Sequence, residues 1–242
     1  MTKLDILAIG VHPDDVELSA CGTLLKHIAL GYKVGLLDLT RGELGSRGTA
    51  ETRDIEAEDA RKIIGAVVRE NLRMADGFFV HNEENTLKIV RAIREYQPEI
   101  VLLNAIQDRH PDHGRAAKLS ADACFLSGLL KVETVDNQGI KQMHWRPKAV
   151  YHYIQDMLSK PDFVVDISPF MEQKMKSILA YKTQFFNPDE AQDGVKTPIS
   201  GKDFFEYLYA KDRANGRMIQ AEFAEAFQTI RPLGVGNLFE VV

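Results

Sequence analysis

Two short runs of side chains stand apart in the chemistry they could do: His12-Pro13-Asp14-Asp15 near the start of the chain, and His110-Pro111-Asp112-His113 in its middle. Imidazole nitrogen and carboxylate oxygen are good donors to a divalent ion such as zinc, and a catalytic zinc typically takes three protein ligands and keeps a position open for water or substrate. His12, Asp15 and His113 supply such a set. The same donors also accept Fe(II), Mn(II) or Co(II). A lone histidine beside an apolar run is ordinarily a hydrogen-bonded core residue, and a lone aspartate before a helix is ordinarily a cap. Two His/Asp clusters, each stiffened by a proline, are harder to explain in that way.

Other chemistries find less support. A dinucleotide-binding first turn needs G-x-G-x-x-G, whereas the chain reads Gly10-Val11-His12-Pro13-Asp14-Asp15 at that place. The glycines Gly42, Gly45 and Gly48 do not match a P-loop. Cys21 and Cys124 fall in separate helical patterns without a CxxC partner, so neither a disulfide framework nor a thiolate zinc site is indicated.

The elements that must carry these clusters are legible from periodicity. Leu4 to Val11 is nearly all apolar, as expected for a strand buried on both faces of a parallel sheet. Val16, Ala20, Leu24 and Ile28 then recur at helical spacing, and Gly31 closes the pattern. Lys33 to Leu39 reads as a second strand, followed by a glycine-rich loop from Thr40 to about Thr52 and a helix through Ile55, Ala60, Ile63 and Ile64. A helix from Glu84 to Tyr96 precedes a strand from Ile100 to Asn104, and another helix begins near His113. Later strands are expected at Ala149 to Ile154 and Phe163 to Ile167, with helices at Pro169 to Tyr181 and Phe204 to Met218. This alternation predicts an α/β, Rossmann-like fold: a mostly parallel sheet with helices on both faces. In such sheets ligands collect beyond the carboxyl ends of the strands, which is where both clusters fall. The stretch from Thr183 to Asp203 lacks periodicity and reads either as an active-site flap or as an exposed surface excursion.

A chain of 242 residues is expected to form one domain, 1–242. Its net charge of -5 provides no general attraction to nucleic acid or to anionic membranes, so neither is expected as a partner. No apolar run approaches the roughly 20 residues needed to cross a bilayer, and the N-terminus lacks the pattern of a signal peptide, which together predict a cytoplasmic protein.

The clusters, written His12-Pro13-Asp14-Asp15-Val16-Glu17 and His110-Pro111-Asp112-His113, resemble the paired signatures of the LmbE-like, or PIG-L-like, zinc deacetylases. Similarity continues through Thr40-Arg41-Gly42-Glu43, Arg53 with Glu56, Asp76-Gly77, Tyr181-Lys182-Thr183-Gln184-Phe185 and Ala224-Glu225-Ala226-Phe227. It therefore covers nearly the whole chain, and looks closest to the branch that deacetylates N-acetylglucosaminyl-malate in bacillithiol biosynthesis. The resemblance implies the LmbE-like deacetylase fold and Zn2+ on His12, Asp15 and His113. It also implies Asp14 as general base, and His110 as general acid or electrostatic stabiliser with Asp112 orienting it.

For a carboxylate-bearing substrate, Arg53 and Arg109 are the leading binding residues, with Arg47 and Arg146 behind them, and Ser46 could reach sugar hydroxyls. Glu17 is read as a helix-stabilising first-turn acid outside the site. Phe78, Phe79 and Trp145 read as core or rim packing. Where some relatives bring a tyrosine hydroxyl to the oxyanion, Asp203-Phe204-Phe205-Glu206-Tyr207 places Phe204. Relatives form trimers or hexamers, so a homo-oligomer is expected. The substrate class implied is an N-acetylated amino-sugar conjugate, with another N-acetylglucosamine derivative or a chitooligosaccharide as the alternative. The competing class is a non-catalytic metal- or nucleotide-binding module.

Overall fold

The computed structural model describes residues 2–186 and 195–240. Its strands are β1 (Ile6–Gly10), β2 (Val34–Thr40), β3 (Val68–Met74), β4 (Ile100–Leu103), β5 (Ala149–Tyr153), β6 (Phe163–Asp166) and β7 (Ala224–Gln228), in one sheet of order β3-β2-β1-β4-β5-β7-β6. The first five run parallel, with Ala8 facing Leu36 on one side and Leu102 on the other. β7 pairs antiparallel with both β5 and β6. The mostly parallel sheet expected from the apolar runs is therefore present, with an antiparallel edge.

The helices are α1 (Asp15–Ser19), α2 (Cys21–Ala29), α3 (Ala50–Ile64), α4 (Glu83–Tyr96), α5 (Pro111–Leu126), α6 (Met171–Leu179) and α7 (Lys202–Arg217). They cover both faces because side chains along a strand alternate. Leu7 and Ile9 of β1 join Ile89 and Ile93 of α4 and Leu119 of α5 in one core cluster, whereas Ile6 and Ala8 join Val16, Leu24 and Leu25 in another. α6 and α7 pack with α3 in a third cluster around Ile178, Phe185 and Leu208. No helix among the described residues is long and apolar enough to cross a membrane.

Two strands escape the periodicity reading. β3 is an edge strand of sequence VRENLRM, mostly half-buried, so polar residues fill it. β7 carries Glu225 at full burial. The helix expected as one piece from Val16 to Gly31 is broken at Ala20, and Glu225 provides a reason: its carboxylate oxygens accept from Gly22 N at 2.9 Å and Thr23 N at 2.7 Å, satisfying the opening N–H groups of α2. Lys174 Nζ lies 2.8 Å from Glu225 and 2.6 Å from Asp212, all three buried. Removing the shared cation strands two buried carboxylates. Lys174→Met is expected to lower unfolding free energy by about 3–5 kcal/mol, read as a lower urea midpoint at unchanged m-value.

Candidate functional site

Because β1 to β5 are parallel, their carboxyl ends open onto one rim, and the chain leaving each contributes there. Leaving β1, it turns tightly: a Cβ on Gly10 would stand 3.1 Å from His12 O and 3.2 Å from the Asp15 Cβ, so only glycine fits without displacement. Asp14 follows with φ 125° and ψ -25°, a conformation that costs about 1–3 kcal/mol in a non-glycine residue. The turn is held from two sides. His12 N donates to Asp15 Oδ2 at 2.9 Å, and Arg53 Nη2, from α3, donates to Pro13 O at 2.9 Å and to Asp14 Oδ2 at 2.7 Å.

After β4, His110 caps α5 and Pro111 takes its first position. This brings His110 and His113 against His12, with ring centroids 4.8 Å (His12–His110), 5.8 Å (His12–His113) and 5.1 Å (His110–His113) apart. One ligand nitrogen from each lies within 4.8 Å of the others. Asp15 sits between two of them, its Oδ1 3.1 Å from His113 Nε2 and its Oδ2 3.8 Å from His12 Nδ1. A second group, His12, Asp76 and Asp112, also brings possible ligand atoms within 4.8 Å of one another.

Several partners have no counterpart in the sequence reading of the site. Gln155 Nε2 and Asn104 Nδ2 each donate at 3.0 Å to a different oxygen of Asp15, and Gln155 Oε1 accepts from Asn104 Nδ2 and Ala105 N. Asp108 Oδ2 holds His113 Nδ1 at 2.5 Å, and Asp76 Oδ1 meets His12 Nε2 at 3.0 Å. Asp76, Asn104, Asp108 and Gln155 all follow strand ends, and Asp76 also stands among the residues of the family resemblance, though the resemblance gives it no role in the site.

Other expected residues are placed differently. The Asp112 carboxylate does not orient His110: its Oδ2 accepts from Gly77 N at 2.9 Å and lies 3.6 Å from His12 Nε2, while Oδ1 is 3.1 Å from Arg115 Nη1. It is the Asp112 backbone N–H that meets His110, at 3.3 Å from Nδ1. Arg53 is buried and engaged with Asp14 rather than offered to a substrate carboxylate. Arg109 is exposed at the cavity rim and paired with Asp156 at 2.5 Å, and Ser46 is exposed on the same rim. Arg47 is tied to Thr183 O and Val195 O, and Arg146 lies over the Phe125 ring. Glu17 stands in the first turn of α1 and off the cavity lining, and is a buried ion-pair member, accepting from Arg69 Nη1 at 2.5 Å and Tyr181 OH at 2.9 Å. Phe79 is buried, the Trp145 indole packs against the core, and Phe78 is exposed.

His12, Asp14, Asp15, His110 and His113 line a cavity of about 310 Å³, to which Leu18, Ile199, Phe204 and Leu208 add apolar wall. Tyr207 also lines it, with its hydroxyl donating to Asp156 O at 2.5 Å. Of the stretch Thr183 to Asp203, residues 187–194 lie outside the described residues, while Gln184 on one side and Thr197 to Ile199 on the other border the cavity.

Burial pushes the Asp14 carboxyl up to about 7, with Arg53 opposing the rise. Burial would also raise Asp15, but the charge and hydrogen bond of His113 hold it well below the carboxylate range. Burial would lower His12, yet the carboxylates of Asp112 and Asp76 beside its Nε2 and the charge of Asp15 raise it to about 10. His113 is raised to about 9 against burial, by Asp15 and Asp108. His110 is lowered by burial and by its two histidine neighbours. With Nδ1 accepting from Asp112 N, its neutral ring carries the proton on Nε2.

A protein-family model described as GlcNAc-PI de-N-acetylase (PIG-L) matches residues 7–124, a span that contains both histidine clusters. The diacetylchitobiose deacetylase of Thermococcus kodakarensis is 28% identical over 190 residues, 74% of this chain and 70% of that protein. The uncharacterized deacetylase YaiS of Escherichia coli is 32% identical over 127 residues, 49% of this chain and 67% of that one. Among solved structures, the conserved protein TT1542 from Thermus thermophilus superposes with a TM-score of 0.84 at 34% identity, covering 96% of this chain and 97% of the other.

Proposed function

The chain belongs to the PIG-L, or LmbE-like, family of de-N-acetylases, and on that premise we propose that it hydrolyses the N-acetyl amide of an amino-sugar conjugate, using a divalent ion, zinc foremost, on His12, Asp15 and His113. The observation that supports this reading is the convergence of His12, His110 and His113 at one rim of the sheet, with Asp15 between His12 and His113 and Asp14 lining the same cavity. The donor set fits such an ion: two imidazoles and a carboxylate are brought together, and Asp108 holds the far nitrogen of His113, the arrangement by which metal-bound histidines are oriented. When bound, the ion acidifies water and polarises the amide carbonyl.

The chain's own residues then move the protons. Asp14, fixed by Arg53, takes the proton of the attacking water and delivers it to the departing amine. His110 presents its Nε2–H to the oxyanion developing on the carbonyl or to the leaving nitrogen. The preferred substrate is N-acetylglucosaminyl-malate, giving glucosaminyl-malate and acetate in bacillithiol biosynthesis, with Arg109 at the rim for a carboxylate and Ser46 for sugar hydroxyls. A chitooligosaccharide is the alternative, supported by the similarity to the diacetylchitobiose deacetylase of Thermococcus kodakarensis. The whole chain acts in this reading as one cytoplasmic domain that assembles into a homo-oligomer, a trimer or hexamer. Free-amine release from N-acetylglucosaminyl-malate, N-acetylglucosamine and diacetylchitobiose tests the substrate choice, and activity confined to diacetylchitobiose overturns it.

Arg53 gives a pH prediction. Asp14 is a base only when ionised, so kcat/KM falls as pH drops through its pKa. The guanidinium lowers that pKa, as does a neighbouring divalent cation; removing it raises the pKa. Arg53→Gln is expected to shift the acid limb of kcat/KM to higher pH by about 1 unit or more, and an unmoved limb removes Arg53 from this role.

A further inference from the structure

Lys211, on α7, lines the cavity although it is only 5% exposed. Its nitrogen donates to two backbone carbonyls at long range, Gln155 O at 3.3 Å and Leu18 O at 3.4 Å, and among the described residues no carboxylate oxygen comes within 4.0 Å of it. Other buried cations of this fold are treated differently. Lys174 is paired with two carboxylates, and Arg94 places its guanidinium on three carbonyls and the Thr134 hydroxyl at 2.6 to 3.0 Å. Burial lowers the Lys211 pKa, the mark of an ammonium short of compensation.

A second group on the same cavity wall is also short of a partner. Ser19, at the end of α1 and next to Leu18, is 2% exposed, and its Oγ has no hydrogen-bond partner among the described residues. An unused hydroxyl donor and an under-coordinated ammonium therefore line the same cavity, next to each other through the Leu18 carbonyl that Lys211 meets, and Leu18, Phe204 and Leu208 add apolar side chains to that lining. The ammonium N–H not given to the two carbonyls and the Ser19 O–H suit an anion with two oxygens, and the apolar walls suit a small apolar body beside it.

We propose that Ser19 and Lys211 form a carboxylate-binding subsite in the buried part of the cavity. The carboxylate comes either from the acetate the hydrolysis releases or from an acidic substituent of the substrate. The inference rests on the proposed deacetylation for its biological meaning, but the site can be tested by binding alone.

The test is calorimetric titration of the metal-loaded protein with acetate and, separately, with acetamide, its neutral isostere. Lys211→Met is expected to weaken acetate about 10-fold while leaving acetamide unchanged, because a hydrogen bond to a charged group contributes that much. Ser19→Ala is expected to weaken acetate less, and Lys211→Arg to restore it in part. Unfolding midpoints identify a variant damaged in its fold, in which case Ser19→Ala decides. Equal acetate affinity in wild type and in the folded variants overturns the subsite. A kinetic arm separates the sources: if acetate is the occupant, Lys211→Met relieves product inhibition; if the substrate's acid is, it raises KM for acidic conjugates and not for neutral ones. Absence of amine release from every substrate overturns the deacetylase reading and leaves the binding result standing.

Discussion

Asp14→Asn is expected to keep the metal content of wild type and to lower kcat at least about 100-fold, the loss that accompanies removal of a general base. Asparagine has the same shape, its amide oxygen still accepts from Arg53 Nη2, and it tolerates positive φ better than most residues, so the turn at φ 125° survives. What it cannot do is take a proton. The buried carboxyl raised to about 7 is suited to that task near neutral pH, where both its forms are accessible. Metal analysis and amine release on the same sample check the prediction. Near-normal turnover with full metal content assigns the base elsewhere.

His113→Ala is expected to release the ion, and His110→Ala to retain it while lowering kcat by about 100-fold or more. The two imidazoles are close neighbours, with centroids 5.1 Å apart, but their surroundings differ. His113 lies against Asp15 and is gripped by Asp108, the environment of a ligand; His110 accepts only a backbone N–H and is pushed toward neutrality. Asp15 and Asp108 favour the protonated form of His113, and Asp112, Asp76 and Asp15 that of His12, so binding of an ion by these two residues is expected to release protons, and its affinity is expected to rise with pH. Equal metal loss in both variants exchanges the roles of ligand and acid.

The central strands and the two histidine clusters were legible because both depend on local pattern. β1 and β4 are buried and continuously apolar, β2 nearly so apart from Asp38 and Thr40, and the clusters lie on the segments that follow β1 and β4. β3 and β7 were not: an edge position fills β3 with polar and charged residues, and the buried ion network places Glu225 inside the short β7. The partners of the site were missed for a related reason: Asn104 and Gln155 are single polar residues whose meaning appears only when they close on Asp15 across the sheet. Arg53 and Asp112 show the converse. Their chemistry was visible, but the direction each side chain takes depends on tertiary packing, which turns Arg53 onto Asp14 and the Asp112 carboxylate toward His12.

The most direct measurement is a zinc titration of chelator-stripped protein, followed by free-amine release from N-acetylglucosaminyl-malate and diacetylchitobiose. One ion held by His12, Asp15 and His113 predicts activity that rises linearly and stops at one equivalent per chain, with no such rise in His113→Ala. Turnover indifferent to metal, or no amine from either compound at saturating zinc, contradicts it.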